Sequence, residues 1–366
     1  MGDVCSRVKK ESQIRRIWNA QQVFRELVQL KLHLLHFILI SGTGYMRNFT
    51  ANIVKRIIGM DIYLSPNDIF FRDYVQHLVG LRPGAKITSR GAGVNEGVGS
   101  QARLTMCAIN FARVLGLTYV HTPFSELSHA DRSTESWDKA WEAELNLGAG
   151  EIPAEPGDHQ IVDFGQIFHR YRYLDTVFNI TSKEFQRKYF MNKDPRINPL
   201  LTVGIHVRRG DVSKGHRMWT NLPNISTTIK QLKNILDKKT INYRIQVFSE
   251  GGYSEFRDFG PLGVQLFLNS DPLWTMRELI EADILVMAKS LFSYIAALIS
   301  DGIILYEPWP EGMGIRSHPP LKNWLVRRPE GNFDERLFVI QLEAMMIQFN
   351  FGSLQASHRR SATRPC

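Results

Sequence analysis

A chain of 366 residues with 43% hydrophobic and 22% charged residues has ordinary globular composition and length for two packed cores, which excludes a disordered chain and a small disulfide scaffold. Its formal net charge of +9, with basic residues crowded towards both ends, permits anionic partners such as nucleotide diphosphates or phospholipid headgroups. No zinc-finger spacing or RNA-binding aromatic motif accompanies that charge, so nucleic acid is not an expected partner. Cys5, Cys107 and Cys366 are too sparse for a disulfide framework or a thiolate metal site.

Residues 1–80 read as a helical N-terminal extension. Within it, 27–40 (LVQLKLHLLHFILI) follows Arg15, Arg16 and Arg25 as a signal-anchor would, but Lys31, His33 and His36 interrupt it. The uninterrupted part, Phe37 to Ile40, falls far short of the roughly 20 residues that span a bilayer. The segment is expected to be an amphipathic or core-packing helix, with peripheral membrane contact as the alternative. Cytoplasm or a membrane periphery is favoured over the secretory lumen, and the sequons at Asn48, Asn179 and Asn224 carry no weight without a signal.

A first Rossmann-like domain is expected over 81–198. The loop 91–99 (GAGVNEGVG) leads into a helix with Leu104, Ala108, Phe111 and Leu115 on one face, ended by Gly116 and followed by a strand over 117–120. The polar, tryptophan-bearing stretch 126–156 reads as an insertion or a pair of short helices facing a cleft. Acceptor contacts are expected from its irregular part, 129–150. The run 192–199 (NKDPRINP) is the linker.

A second domain follows over 199–315. Strands are expected over 201–206, 243–248, 264–268, 284–287 and 303–306, and helices over 225–238, 272–282 and 291–299. Apolar strands alternating with helices require a parallel sheet covered on both faces. Residues 316–366 comprise a helix over 332–350, with Phe333, Leu337, Ile340 and Met345 near one face, and a basic tail.

In an open parallel sheet ligands bind beyond the carboxyl ends of the strands. The first four strands of the second domain run out into His206-Val-Arg208-Arg209-Gly210-Asp211, Ser249-Glu250-Gly251-Gly252, Asn269-Ser270-Asp271 and Lys289-Ser290, all polar, charged or glycine-bearing. Guanidinium forks at Arg208 and Arg209 suit phosphate oxygens. Ser290, at a strand-to-helix turn, suits an anion at a helix N-terminus. Asp211 either holds one arginine or contacts the ligand. The glycines of 91–99 lack the G-x-G-x-x-G order of a dinucleotide fingerprint.

The run from His206 to Asp211 resembles the H-x-R-R-x-D motif shared by α1,2-, α1,6- and protein O-fucosyltransferases. Phe248-Ser249-Glu250 is similar to that group's second motif, usually a strand ending in Ser/Thr-Asp-Asp. Met287-Ala-Lys-Ser290-Leu-Phe-Ser293-Tyr294 is similar to its third, which carries serines near the donor phosphates. Gly97-Val98-Gly99-Ser100-Gln101 is similar to the Gly-x-Gly-Asn-Gln loop that opens the first domain. The resemblance covers residues 85–310 and departs from the group at Glu250-Gly251, where an acidic pair is usual.

The resemblance implies an α/β GT-B fold: two Rossmann-like domains facing a cleft, here with a helical N-terminal extension and a C-terminal helix. It implies GDP-fucose as donor substrate, no cofactor or metal, and inverting transfer to a hydroxyl of a glycan or glycoconjugate. His206, Arg208, Arg209, Asp211, Ser249, Glu250, Asp271, Ser290 and Ser293 are the expected donor contacts. Arg208 would stabilise the leaving β-phosphate, and Glu96 would be the acceptor base unless it pairs with Arg90 or Arg103. A non-catalytic nucleotide- or sugar-binding relative and a transferase using another nucleotide sugar are the alternatives.

Overall fold

In a computed structural model of the chain the described residues are 84–89, 96–128, 133–165, 178–191, 193, 200–309 and 320–347. All belong to one unit, Pro66–Cys366. The expected extension over 1–80 with its segment 27–40, the linker 192–199 apart from Lys193, and the basic tail lie outside them.

Two parallel sheets with intervening helices make up the fold. The first sheet contains β1 (Lys86–Thr88), β2 (Thr118–His121), β3 (Ile152–Pro153) and β4 (Ile161–Asp163), in the order β3-β2-β1-β4. Helix α1 (Val98–Leu115) connects β1 to β2, α2 (Thr134–Leu145) lies between β2 and β3, and α3 (Phe178–Phe190) follows β4. The second sheet contains β5 (Leu201–Val207), β6 (Tyr243–Ser249), β7 (Gln265–Leu268), β8 (Ile284–Val286), β9 (Ile303–Tyr306) and β10 (Leu325–Val326). Its order, β10-β9-β8-β5-β6-β7, is the doubly wound order in which the chain starts centrally, adds strands to one side and then crosses to the other. Helices α4 (Leu222–Lys238), α5 (Pro272–Ile280) and α6 (Leu291–Ile299) make its crossovers. The interiors of the central strands β5, β6, β8 and β9 are largely apolar and buried, as a sheet covered on both faces demands.

Helix α1 ends as expected: Gly116 takes a left-handed conformation (φ 65°) and its N–H returns to the carbonyls of Ala112 and Arg113. Its start differs from expectation. The glycine-rich loop stops at Gly97, and Val98 and Gly99 already belong to the helix. Gly99 lies against the start of α6, where a Cβ would stand 2.9 Å from Leu291 C and Phe292 N.

Two further expectations are corrected. The stretch 126–156, expected as an insertion or a pair of short helices, forms where it is described a single helix, α2, and the short edge strand β3. Its tryptophans are core residues, Trp137 edge-on to Trp141 at 5.8 Å and Trp141 edge-on to Phe292 at 6.2 Å. Residues 129–132 lie outside the description. The C-terminal helix, α7, is helical at 335–347, with Asp334 before it accepting the Leu337 N–H at 2.9 Å. Phe333 instead pairs with Arg327 in a bridge. Phe338 and Leu342, four residues apart, face the core, while Leu337 and Ile340 are 50% and 54% exposed. Shifting the helix start past Phe333 takes the expected anchor off the helix, and the inward face is set by the 338–342 pair.

The two sheets share a core. Residues of α1, α2 and α3 join those of α5 and α6 in one apolar cluster, while β5, β6, α4 and α7 build a second. A buried carboxylate ties the halves: Glu144 of α2 accepts from Tyr189 Oη at 3.0 Å, Arg277 Nη2 of α5 at 2.6 Å and the Lys193 ammonium at 3.2 Å. Burial alone would raise the Glu144 pKa, but the hydrogen bonds and charges of Arg277 and Lys193 outweigh it and hold the carboxyl below its ordinary value.

Candidate functional site

β8, β5, β6 and β7 are neighbours and parallel, so their carboxyl ends stand side by side on one rim. Strand order reverses between β5 and β8, the point where such sheets leave a crevice. Arg208 bridges that point. Its Nη1 donates to the Lys289 carbonyl at 3.1 Å, and its Nε and Nη2 donate to the two carboxylate oxygens of Asp211 at 3.0 and 2.5 Å. The side chain keeps 25% exposure and two of its five N–H groups outside these contacts. The rim therefore presents a fixed, partly open guanidinium.

Arg209 differs from the expected second fork. Its guanidinium is buried, donates to Glu255, to the Arg208 carbonyl at 2.8 Å and to the Thr220 carbonyl at 3.1 Å, and lies 3.6 Å over the Trp219 ring. It braces the loop that presents Arg208. Gly210 permits the turn between Arg209 and Asp211: φ is +77°, and the Glu250 carboxylate occupies the place a Cβ would take.

Other expected donor contacts also bond within the protein. The Ser249 hydroxyl donates to the carbonyls of Val207 and Glu250 (2.8 and 2.9 Å), joining the ends of β5 and β6. Ser293 is fully buried and donates to the Ala288 carbonyl at 3.2 Å. Asp271 caps α5, accepting the Trp274 N–H at 2.7 Å. Glu250 sits on the rim against Gly210. Gly251, where the resemblance expects the second acidic residue, has φ +110°, and its backbone is clasped by the Asn269 side chain at 3.0 and 2.9 Å. A glycine-specific conformation replaces that carboxylate.

Ser290 caps α6, its hydroxyl accepting the Phe292 N–H at 3.3 Å. The N-terminus of α6 therefore starts directly after Lys289, whose carbonyl holds Arg208, so the positive end of the helix lies near that guanidinium. His206, at the end of β5, faces Phe292 at 5.6 Å with its Nδ1 enclosed and without a hydrogen-bond partner. Burial, and secondarily the Arg208 charge, push its pKa down to about 4, so the imidazole is neutral near pH 7.

The first sheet brings its own rim to this place, because Gly99 in the first turn of α1 touches Leu291 and Phe292 in the first turn of α6. Glu96 lies just before the α1 N-cap, and its carbonyl accepts the Ser128 N–H at 3.2 Å. The Gln101 side chain fixes the next loop by bonding both the carbonyl (2.7 Å) and the N–H (3.4 Å) of Ser125.

The strand-end rule also reaches residues that the sequence reading stopped short of. Glu307 follows β9 and is held between Lys289 (2.8 Å) and Arg327, which follows β10. Arg327 is fully buried, and its Nε and Nη1 have no partner. Burial pulls its pKa below the ordinary arginine value despite the Glu307 charge. Among the described residues no group of His, Cys, Asp and Glu is arranged to hold a metal, and no helix is long and apolar enough to cross a membrane.

The chain is thus a two-sheet α/β protein whose second sheet has the dinucleotide-fold strand order and a cationic switch point. No family model and no curated protein matches it. Solved structures similar to it include POFUT1 in complex with GDP, at 11% identity and TM-score 0.30 over 61% of this chain and 96% of that one. They also include POFUT1 in complex with GDP-fucose, at 11% identity and TM-score 0.22 over 63% of this chain and 74% of that one.

Proposed function

We propose that the chain is an inverting glycosyltransferase that moves fucose from GDP-fucose to a hydroxyl of a glycan or glycoconjugate, without a metal. The observation that carries this reading is Arg208: a guanidinium at the switch point of a doubly wound sheet, held by Asp211 and the Lys289 carbonyl, beside the N-terminus of α6. Such a place suits a diphosphate, and the H-x-R-R-x-D resemblance selects GDP-fucose among nucleotide sugars. In transfer, an acceptor hydroxyl attacks the anomeric carbon while its bond to the β-phosphate oxygen breaks. Negative charge gathers on that phosphate, where Arg208 and the α6 amides meet it. Neutral His206 would contact the donor as an uncharged hydrogen-bonding group, and the carboxylate that the resemblance assigns to the acceptor proton is Glu96.

A second reading, a nucleotide-sugar-binding relative without catalysis, draws on Gly251, whose positive φ and Asn269 clasp leave no side chain where the second acidic residue is usual. GDP release from GDP-fucose decides between them. Wild-type turnover that persists in EDTA and falls at least about 100-fold in Arg208→Ala is expected. GDP binding without turnover selects the second reading, and absence of both refutes the GDP-sugar assignment.

A further inference from the structure

The first sheet repeats the strand order of the second as far as it goes, and its own switch point carries a carboxylate. Order reverses between β1 and β4, and there Thr88 pairs in register with Asp163, the last residue of β4. Asp163 therefore occupies the part of the rim where open sheets bind ligands. One of its oxygens is fixed: Oδ1 accepts the Gly165 N–H at 2.9 Å, and a Cβ at residue 165 would stand 3.3 Å from that oxygen and 3.7 Å from Leu104 of α1. Among the described residues Oδ2 takes no hydrogen bond, and the residue is only half-buried.

A second observation at the same edge points to a ligand. Ser89, the residue after Thr88, is 1% exposed, and its hydroxyl has no hydrogen-bond partner. A buried, unpaired hydroxyl is unfavourable, and a ligand group bonding to it at this edge would remove that cost. Thr88 and Thr122 share a hydrogen bond of 2.8 Å alongside it. Hydroxyls and a carboxylate suit a hydroxyl-bearing molecule.

We propose that Asp163 receives the proton of the acceptor hydroxyl and that Ser89 binds a second polar group of the same acceptor, an inference that rests on the donor reading above. The contact of Gly99 with Leu291 and Phe292 sets this rim against the one that carries Arg208. As the acceptor oxygen bonds to the anomeric carbon, the carbon–phosphate-oxygen bond breaks and its electron pair leaves with GDP. The hydroxyl proton passes to Asp163 Oδ2. On this proposal Asp163 takes the proton that the resemblance assigns to Glu96, so Asp163 and not Glu96 is the acceptor base.

The test uses the full chain and hydrolysis of GDP-fucose, with water as the acceptor probe, alongside GDP affinity and urea unfolding. Asp163→Asn keeps an oxygen for the Gly165 N–H, so the unfolding midpoint is expected to hold. Turnover is expected to fall at least about 100-fold, with GDP affinity within about twofold of wild type, since no change is expected at the donor rim. Asp163→Glu, which restores a carboxylate, is expected to recover part of the rate. Asp163→Asn turning over at the wild-type rate overturns the proposal. So does a fall that Asp163→Glu does not relieve, or one matched by equal loss of GDP affinity and stability. A wild-type chain that neither binds GDP nor releases it from GDP-fucose overturns the donor reading itself, a result separate from these.

Discussion

Gly99→Ala sets two known effects against each other. Inside a helix, exchange of glycine for alanine stabilises by up to about 1 kcal/mol, because the unfolded chain loses freedom and the helix gains a better former. Position 99 is in the first turn, so the gain there is no more than that. Against it stands the contact with α6: the new Cβ would lie 2.9 Å from two backbone atoms and 3.0 Å from Leu291 Cβ. Relief to an ordinary 3.4–4 Å contact requires about 0.5–1 Å of movement by helix backbone, and over-packing of this kind costs about 1–3 kcal/mol. The packing cost wins, with a net loss of about 1–2 kcal/mol expected in urea unfolding. The shift also falls on Phe292, whose N–H is the one that Ser290 caps, so GDP affinity should weaken in the same variant. A variant that is about 1 kcal/mol more stable than wild type, with unchanged GDP affinity, would show propensity acting alone and refute the packing of α1 on α6.

The Lys289–Glu307–Arg327 cluster predicts an asymmetry. Glu307→Gln leaves a fully buried guanidinium without its counterion and is expected to cost about 3–5 kcal/mol, whereas Arg327→Met leaves Glu307 paired with Lys289 and removes two unpartnered nitrogens, costing under about 1.5 kcal/mol. Urea unfolding of both variants checks the ranking, and equal losses would contradict it. His206 predicts a pH slope. Its folded pKa of about 4 lies below the unfolded value of about 6.5, so its contribution to stability is complete above pH 6.5 and is lost as pH falls towards 4. His206→Gln should flatten the stability curve in that window, and an unchanged slope there would show that the imidazole is not buried neutral.

Which parts of this protein were legible in its sequence depended on whether the signal was local. The second sheet was readable because its strands are apolar runs fed by polar ends, and β5, β8 and β9 needed no tertiary information to recognise. The place of Arg208 at a strand end was legible for the same reason. The roles of its neighbours were not, because they depend on distant partners. Arg209 looks like a second phosphate fork until Glu255 and Trp219 are brought to it. Ser249, Ser293 and Asp271 carry the right chemistry, but their hydroxyls and carboxylate bond to backbone groups that only the folded turn supplies. The C-terminal helix failed on phase: residues 337, 340 and 338, 342 are both apolar series, and only contact with the second core separates inside from outside.

Residue type alone therefore does not make a ligand site on this rim; what distinguishes a group is the capacity it has left after folding. Arg209, Lys289 and Arg327 each meet a carboxylate, as Arg208 does. Arg209 and Arg327 are closed over, with side chains 4% and 0% exposed, and the Lys289 ammonium is turned to Glu307. Arg208 alone among these four combines a fixed geometry with open N–H groups, and the fixing comes from Asp211 and the Lys289 carbonyl at the point where strand order reverses. The same criterion applied to the first sheet discards His121, whose Nε2 bonds Glu142 at 2.7 Å and whose Nδ1 bonds Tyr119 Oη at 3.1 Å. It retains Asp163, with one oxygen held by the Gly165 N–H and the other taking no hydrogen bond among the described residues. A cation with spare donors on one rim and a carboxylate with a spare acceptor on the other are the two charges that a displacement expelling a diphosphate and taking up a proton requires.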